Sequence, residues 1–128
     1  MIHERATALA TYCEQRAGDY FRGALVYDDV GFELVHSRED LGHLFGDEVV
    51  GKIVDHLREL HRVEDGRPDI PGLGDFESGV YAFAESIVVH FALADGKGVV
   101  VALDPAAGSQ LMGFVRECRR TLQDLSAA

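Results

Sequence analysis

Residues 23–36 read GALVYDDVGFELVH, and this stretch decides the fold. The apolar run at its start predicts a largely buried strand, and residues 28–31 are typical of a turn. Residues 32–36 predict a second strand, because apolar and polar side chains alternate there. Two strands joined by so short a turn must pair antiparallel. The sequence therefore predicts a β-hairpin near the start of the chain.

Helices are predicted on both sides of this hairpin. Upstream, residues 3–17 place Ala6, Leu9, Cys13 and Ala17 on one helical face. Downstream, the spacing of Ser37 and Asp40 resembles a capping box and predicts a short helix to about residue 45. A longer helix is expected to follow, with Asp47 as its N-cap and an end near residue 62.

The longer helix carries an apolar stripe that is wider than one buried face needs. We interpret this width as the interface of a homodimer, formed by Val49, Val50, Ile53, Val54 and Leu57. The alternative reading is a single well-buried helix in a monomer.

The second half of the chain predicts three more strands and a final helix. Pro68 and Pro71 exclude a helix from residues 64–75. Residues 76–84, 86–93 and 99–103 are rich in strand-forming side chains, and Asp95-Gly96 is a strong hairpin signal. Asp104-Pro105 predicts the start of a helix that runs to about residue 125. Its apolar stripe consists of Leu111, Phe114, Val115, Cys118, Leu122 and Leu125.

These elements predict one α+β domain over residues 1–128. Its order is αββαβββα, with a five-stranded antiparallel sheet whose apolar faces are covered by the helices.

The acidic net charge of this chain argues against several classes of binding partner. It has 22 acidic residues against 12 basic ones, and its formal net charge is −10. Such a surface repels phosphates and anionic lipids, so we expect no nucleic-acid or membrane partner. Dispersed acids with only two lysines, Lys52 and Lys97, fit a protein of a very salty cytoplasm, where the Debye length is only about 3 Å. The alternative is an ordinary acidic protein of a low-salt cell.

No residue pattern points to catalysis, to a cofactor or to a metal ion. His56 and His61 lie five residues apart, which turns them away from one helical face. His90 is expected to be packed or hydrogen-bonded on the second face of the sheet. Cys13 and Cys118 lie on apolar stripes, so both are expected to act as small buried hydrophobic residues. The sequence therefore predicts no catalytic, cofactor-binding or metal-binding residues.

The order αββαβββα and the segment GALVYDDVGF (23–32) resemble the roadblock/LC7 (longin-like) domains. The chain also resembles a group of short uncharacterised haloarchaeal proteins, in which SREDL (37–41) and IVDHL (53–57) are similar. The first resemblance implies a non-catalytic homodimer that regulates or scaffolds protein partners, small GTPases among them.

Three functional hypotheses follow. The leading one is a non-catalytic homodimeric regulatory or scaffolding module of the cytoplasm of a halophile. The second is a small-molecule sensor of profilin-like or PAS-like type, with its ligand between sheet and helix near Tyr81, Phe83 and His90. The third is a small enzyme that uses His90 or His36 with a nearby carboxylate.

Overall fold

The structure is a computed structural model that describes residues 2–38, 46–93 and 96–127. Within these ranges there are eight α-helices and β-strands and two 3-10 turns, Gly18–Tyr20 and Pro105–Gly108, and the predicted order αββαβββα is confirmed. The helices and strands are α1 (Ile2–Ala17), β1 (Phe21–Tyr27), β2 (Phe32–Ser37), α2 (Asp47–Asp65), β3 (Gly79–Ala82), β4 (Ile87–Ala92), β5 (Gly98–Leu103) and α3 (Ser109–Ala127).

The five strands form one antiparallel sheet in the order β2-β1-β5-β4-β3, which confirms the predicted α+β class. Asp28 fixes the turn between β1 and β2. Its Oδ1 atom accepts hydrogen bonds from the backbone N–H groups of Val30 (2.8 Å) and Gly31 (2.9 Å). The local chemistry of an Asx turn thus explains why the first hairpin was predictable. β2 and β3 are the two edge strands.

The two faces of the sheet are covered by different helices. On one face, Ala6 and Ala10 of α1 pack with three core residues of β1 and β5, which are Ala24, Val26 and Val101. On the other face, α2 packs against Leu25, Tyr27 and Val100. Neighbouring residues of one strand point to opposite faces. The central strands therefore contribute to both cores, which is why β1 is buried along most of its length.

Turns at the two ends of β5 also follow the sequence signals. Gly96 has a φ of 71°, a left-handed conformation that glycine adopts without steric cost. The Leu93 N–H group donates to the Lys97 carbonyl at 2.8 Å and closes this turn. Asp104 Oδ1 accepts a hydrogen bond from the Ala106 N–H group at 3.0 Å. This confirms Asp104 as a cap, although the segment that it caps is the 3-10 turn that leads into α3.

Some predicted boundaries were wrong. Gly46, and not Asp47, is the N-cap of α2, which extends three residues beyond the predicted end, to Asp65. β3 is shorter than predicted, because the Phe83 N–H group donates to the Ser86 carbonyl at 2.8 Å and so begins the turn to β4. The short helix predicted after Ser37 lies outside the described residues.

α3 departs from the expectation that every helix covers the sheet. Met112 is buried, but Leu111 is 61% exposed, Phe114 67% and Val115 44%. Cys118 is exposed as well, so the prediction that it is buried was wrong. The physical reason is that α1 and α2 already supply the helical cover of the sheet cores. Periodicity identified the apolar side of α3 but could not say whether another surface meets it.

Candidate functional site

The five residues predicted to form a dimer interface on α2 have different environments. Val50, Val54 and Leu57 are buried in the core of their own subunit. Ile53 is partly buried against the same core, and Val49 is 45% exposed. The stripe therefore closes mainly on its own sheet, and little of its apolar surface is accessible to a second copy. The α2 dimer stays a prediction.

A larger apolar surface lies on α3. Leu111, Phe114, Val115 and Cys118 stand at positions i, i+3, i+4 and i+7, so they share one side of the helix. We call these four residues the α3 face. All four are exposed. Exposed apolar side chains grouped in this way are typical of surfaces that bind a partner.

The charge of α3 differs from that of the whole molecule. Residues 109–127 contain three arginines and two acidic residues, a net charge of +1 in a chain of net charge −10. In contrast, α2 contains six acidic residues and three basic ones, a net charge of −3. The local like-charge repulsion between two copies of α3 is therefore smaller than that between two copies of α2.

The second feature is a cavity of about 350 Å³ between α2 and the sheet. Its walls are mainly aliphatic and come from both layers. From α2 they include Val50 and Ile53, and from the sheet Leu34, Val88 and Val100. Phe83 also lines it, as the sensor hypothesis expected, whereas Tyr81 and His90 are not among its lining residues. The cavity is thus an apolar compartment on the α2 side of the sheet.

Arg22 lies at the polar end of this cavity, beside Glu85 and Ser86. It is the extra residue of a bulge, since the β1–β5 pairing shifts register between Phe21 and Gly23. Bulges turn a side chain away from its regular direction. The Arg22 guanidinium donates to the Glu85 carbonyl through Nη1, and to Asp104 Oδ2 at 3.3 Å through Nη2. Its Nε atom is buried and has no hydrogen-bond partner.

A buried polar pair lies further along the same side of the sheet. His90 is 1% exposed, and its Nε2 atom is 2.7 Å from the Tyr27 hydroxyl. The prediction that His90 is packed or hydrogen-bonded is confirmed, and it is both. Burial, and secondarily the neighbouring His61, lowers the pKa of His90 to about 4. Burial also raises the pKa of Tyr27, against a smaller opposite effect of Arg58. Both side chains are therefore uncharged near neutral pH.

An open cleft lies beyond this pair. His61 Nε2 is 3.4 Å from Asp65 Oδ2, and the His61 Nδ1 atom is buried without a hydrogen-bond partner. The Arg58 guanidinium lies 5.1 Å from the centre of the Tyr27 ring, a cation–π contact. Within the described ranges, no three His, Cys, Asp or Glu side chains are grouped closely enough to hold a metal ion.

The other residues singled out in the sequence lie apart from these features. His36 stacks on Phe21, with ring centroids 4.6 Å apart, and His56 is exposed on α2. Cys13 packs partly buried against the α1 side of the sheet, and this burial raises the pKa of its thiol. Sequence reasoning missed Arg22, for which the only signal was a charged residue directly before an apolar strand.

A family model described as a domain of unknown function (DUF7522) matches residues 7–123, which is nearly the whole chain. No curated protein matches the sequence. Among the described residues, none of the helices combines the length and the apolar character that crossing a bilayer requires.

Proposed function

We propose that this chain, which belongs to the DUF7522 family, is a non-catalytic module that works as a homodimer joined through the α3 face. The observation that carries the proposal is the exposure of four apolar side chains on one side of a 19-residue helix. Transfer of such surface from water to a protein interface is favourable.

The size of the α3 face fits a second copy of the chain. Covering its side chains removes on the order of 300 Å² of apolar surface per subunit. For two subunits this contributes about 15 kcal/mol at ~25 cal/mol per Å². Association costs about 4–15 kcal/mol, so the α3 face supplies a large part of the free energy that a dimer needs, and further contacts around it complete the interface.

Geometry and charge also favour a copy of the same chain as the partner. A stripe with spacing i, i+3, i+4, i+7 can pack against its own symmetry mate, as in two-helix coiled coils. Because α3 has a net charge of +1 and α2 one of −3, the α3 face brings two copies together with less local repulsion than α2 would. High salt would weaken the remaining repulsion further.

The dimer can be tested by replacing Phe114 with glutamate. We expect wild type to have twice the 14.0 kDa mass of one chain in multi-angle light scattering. Phe114→Glu should be monomeric, because it places a charge in the centre of the joined face. Arg120→Gln is the matched control, since it makes the net charge more negative by the same amount and changes the exposed Arg120–Glu117 pair instead. Circular dichroism would verify that all three proteins are folded.

A second pair of measurements separates this interface from the α2 interface. Val49→Glu should leave the dimer intact if α3 joins the subunits, and should dissociate it if α2 does. In addition, Cys118 should react with a thiol reagent more slowly in the wild-type dimer than in Phe114→Glu, because the interface covers it. A monomeric wild type at all salt concentrations would contradict the proposal.

The role we propose for the dimer is regulatory or scaffolding, in a salty cytoplasm. Its support is the resemblance of residues 23–32 to roadblock/LC7 domains and the acidic, lysine-poor composition. Small GTPases are the partner class that this resemblance suggests. Co-elution of the purified dimer with the small GTPases of the same cell, in both nucleotide states, would test the partner. Phe114→Glu is the control for a requirement for dimerisation.

A further inference from the structure

We propose that the cavity between α2 and the sheet binds a small, uncharged, mostly apolar molecule that accepts one hydrogen bond from Arg22. The proposal is independent of the dimer, because the cavity lies on the α2 side of the sheet and shares no residue with the α3 face.

The volume of the cavity supports a ligand site. The cavity is open to solvent on one side, where the exposed residues Phe83 and Glu85 line it. This cavity measures about 350 Å³, within the usual range of small-molecule pockets. For comparison, an engineered apolar cavity of about 150 Å³ in another protein binds benzene. There is thus room for a molecule somewhat larger than a single aromatic ring.

The walls define the body of the ligand. Val50 and Ile53 face the cavity from α2, and Leu25, Val88 and Val100 face it from three different strands. A charged or strongly polar group placed among these side chains would lose its hydration without replacement. An aromatic or branched aliphatic body has no polar group that needs a hydrogen-bond partner among these side chains. The cavity therefore selects against polar molecules along most of its length.

The polar end defines the single functional group of the ligand. The Arg22 guanidinium donates one N–H from Nη1 to the Glu85 carbonyl and one from Nη2 to Asp104 Oδ2. Each of these two nitrogens carries a second N–H group, to which an acceptor on the ligand can bind. The positive charge of Arg22 is already balanced by Asp104 Oδ2 at 3.3 Å, and Glu85 adds a further acidic side chain to the lining. A neutral carbonyl therefore suits this end better than a carboxylate.

Three molecules of nearly the same shape test this assignment directly. Isopropylbenzene has no acceptor, acetophenone has one neutral acceptor, and benzoate has a charged one. Titration of the wild-type protein, followed by NMR or calorimetry, should show acetophenone binding about tenfold more tightly than isopropylbenzene, the gain of one hydrogen bond. Benzoate should bind most weakly. Benzoate as the tightest ligand, or no binding of any of the three, would overturn the proposal.

Two variants locate the binding. Ala102→Ile adds side-chain volume inside the cavity and should abolish binding of all three probes. Arg22→Met keeps a long apolar side chain but has no N–H donor. Its affinity for isopropylbenzene should be unchanged, and the tenfold preference for acetophenone should disappear. A preference that survives Arg22→Met would overturn the role of Arg22, and binding that survives Ala102→Ile would overturn the site. Thermal unfolding of each variant without ligand provides the control for folding.

Discussion

Changing Gly98 to alanine is expected to lower the free energy of unfolding by about 2–4 kcal/mol. Gly98 lies opposite Tyr27 in the β1–β5 pair, and a Cβ atom at this position would overlap the Tyr27 ring. The ring cannot move aside without cost. Its hydroxyl is bonded to His90 at 2.7 Å, and the Arg58 guanidinium packs over its face. The substitution would therefore break a buried hydrogen bond as well as the local packing.

Gly51→Ala is the matched control for this prediction. A Cβ atom at Gly51 would lie 3.6 Å from Phe32 Cε1, an ordinary contact, and the residue is inside α2. Alanine is better than glycine in a helix by about 0.5–1 kcal/mol, so this variant should be slightly more stable than wild type. Urea unfolding would measure both. Equal effects of the two substitutions would contradict the packing of Tyr27 over Gly98.

Acidification should destabilise the protein by about 3 kcal/mol through His90 alone. The pKa of this residue is about 4 in the folded chain and about 6.5 when it is unfolded. Since the folded value is lower, its contribution to stability is complete above pH 6.5. It is lost as the pH falls from 6.5 to 4, because the unfolded chain then binds a proton that the folded chain does not. Its ring neighbours are Tyr27 and His61, and Arg58 packs over the Tyr27 ring; none of these three offers a negative charge to the imidazolium.

The comparison of variants isolates this effect from other titrations. His90→Leu should be less stable than wild type at pH 7, since the Tyr27 hydroxyl loses its partner, but its stability should fall less between pH 7 and pH 4. His56→Gln changes an exposed histidine and should keep the wild-type slope. The pKa values of Asp28 and Asp104 lie below their usual range because backbone N–H groups donate to them. These two carboxyl groups titrate in all three proteins, so their effect cancels when the pH dependences of stability are compared. Parallel pH profiles of wild type and His90→Leu would refute the assignment.

Sequence was sufficient for the order of the elements and the antiparallel class of the sheet, though not for the order of the strands, because its strongest signals are local. The Asp28 turn is set by bonds to the next few residues, and Gly96 and Asp104 act in the same way at the ends of β5. Alternation also indicated that His90 lies on the face opposite Val89. The exact ends of β3 depend on where β4 can pair with it, which is a long-range property.

The candidate sites depend on tertiary arrangement, and periodicity could not predict them. The stripes of α2 and α3 look alike in sequence, yet Val54 is buried and Phe114 is exposed. Which stripe meets the sheet is decided by packing among distant elements. The cavity likewise results from residues of α2 and four strands that are scattered along the chain. Arg22 has no motif, since its position follows from a bulge that only the pairing with β5 creates.

The central position of β5 has a consequence for how the chain is made. One of the two partner strands of β5, β1, is synthesised long before it, so that residue 21 pairs with residue 103 only when the chain is nearly complete. Until then both growing hairpins keep an uncovered inner edge, which can pair with strands of neighbouring nascent chains. Pairing across so long a stretch is also slow, typically milliseconds to seconds. Refolding yield should therefore fall steeply as protein concentration rises, and ribosome-bound chains that end before β5 should be the species most exposed to chaperones.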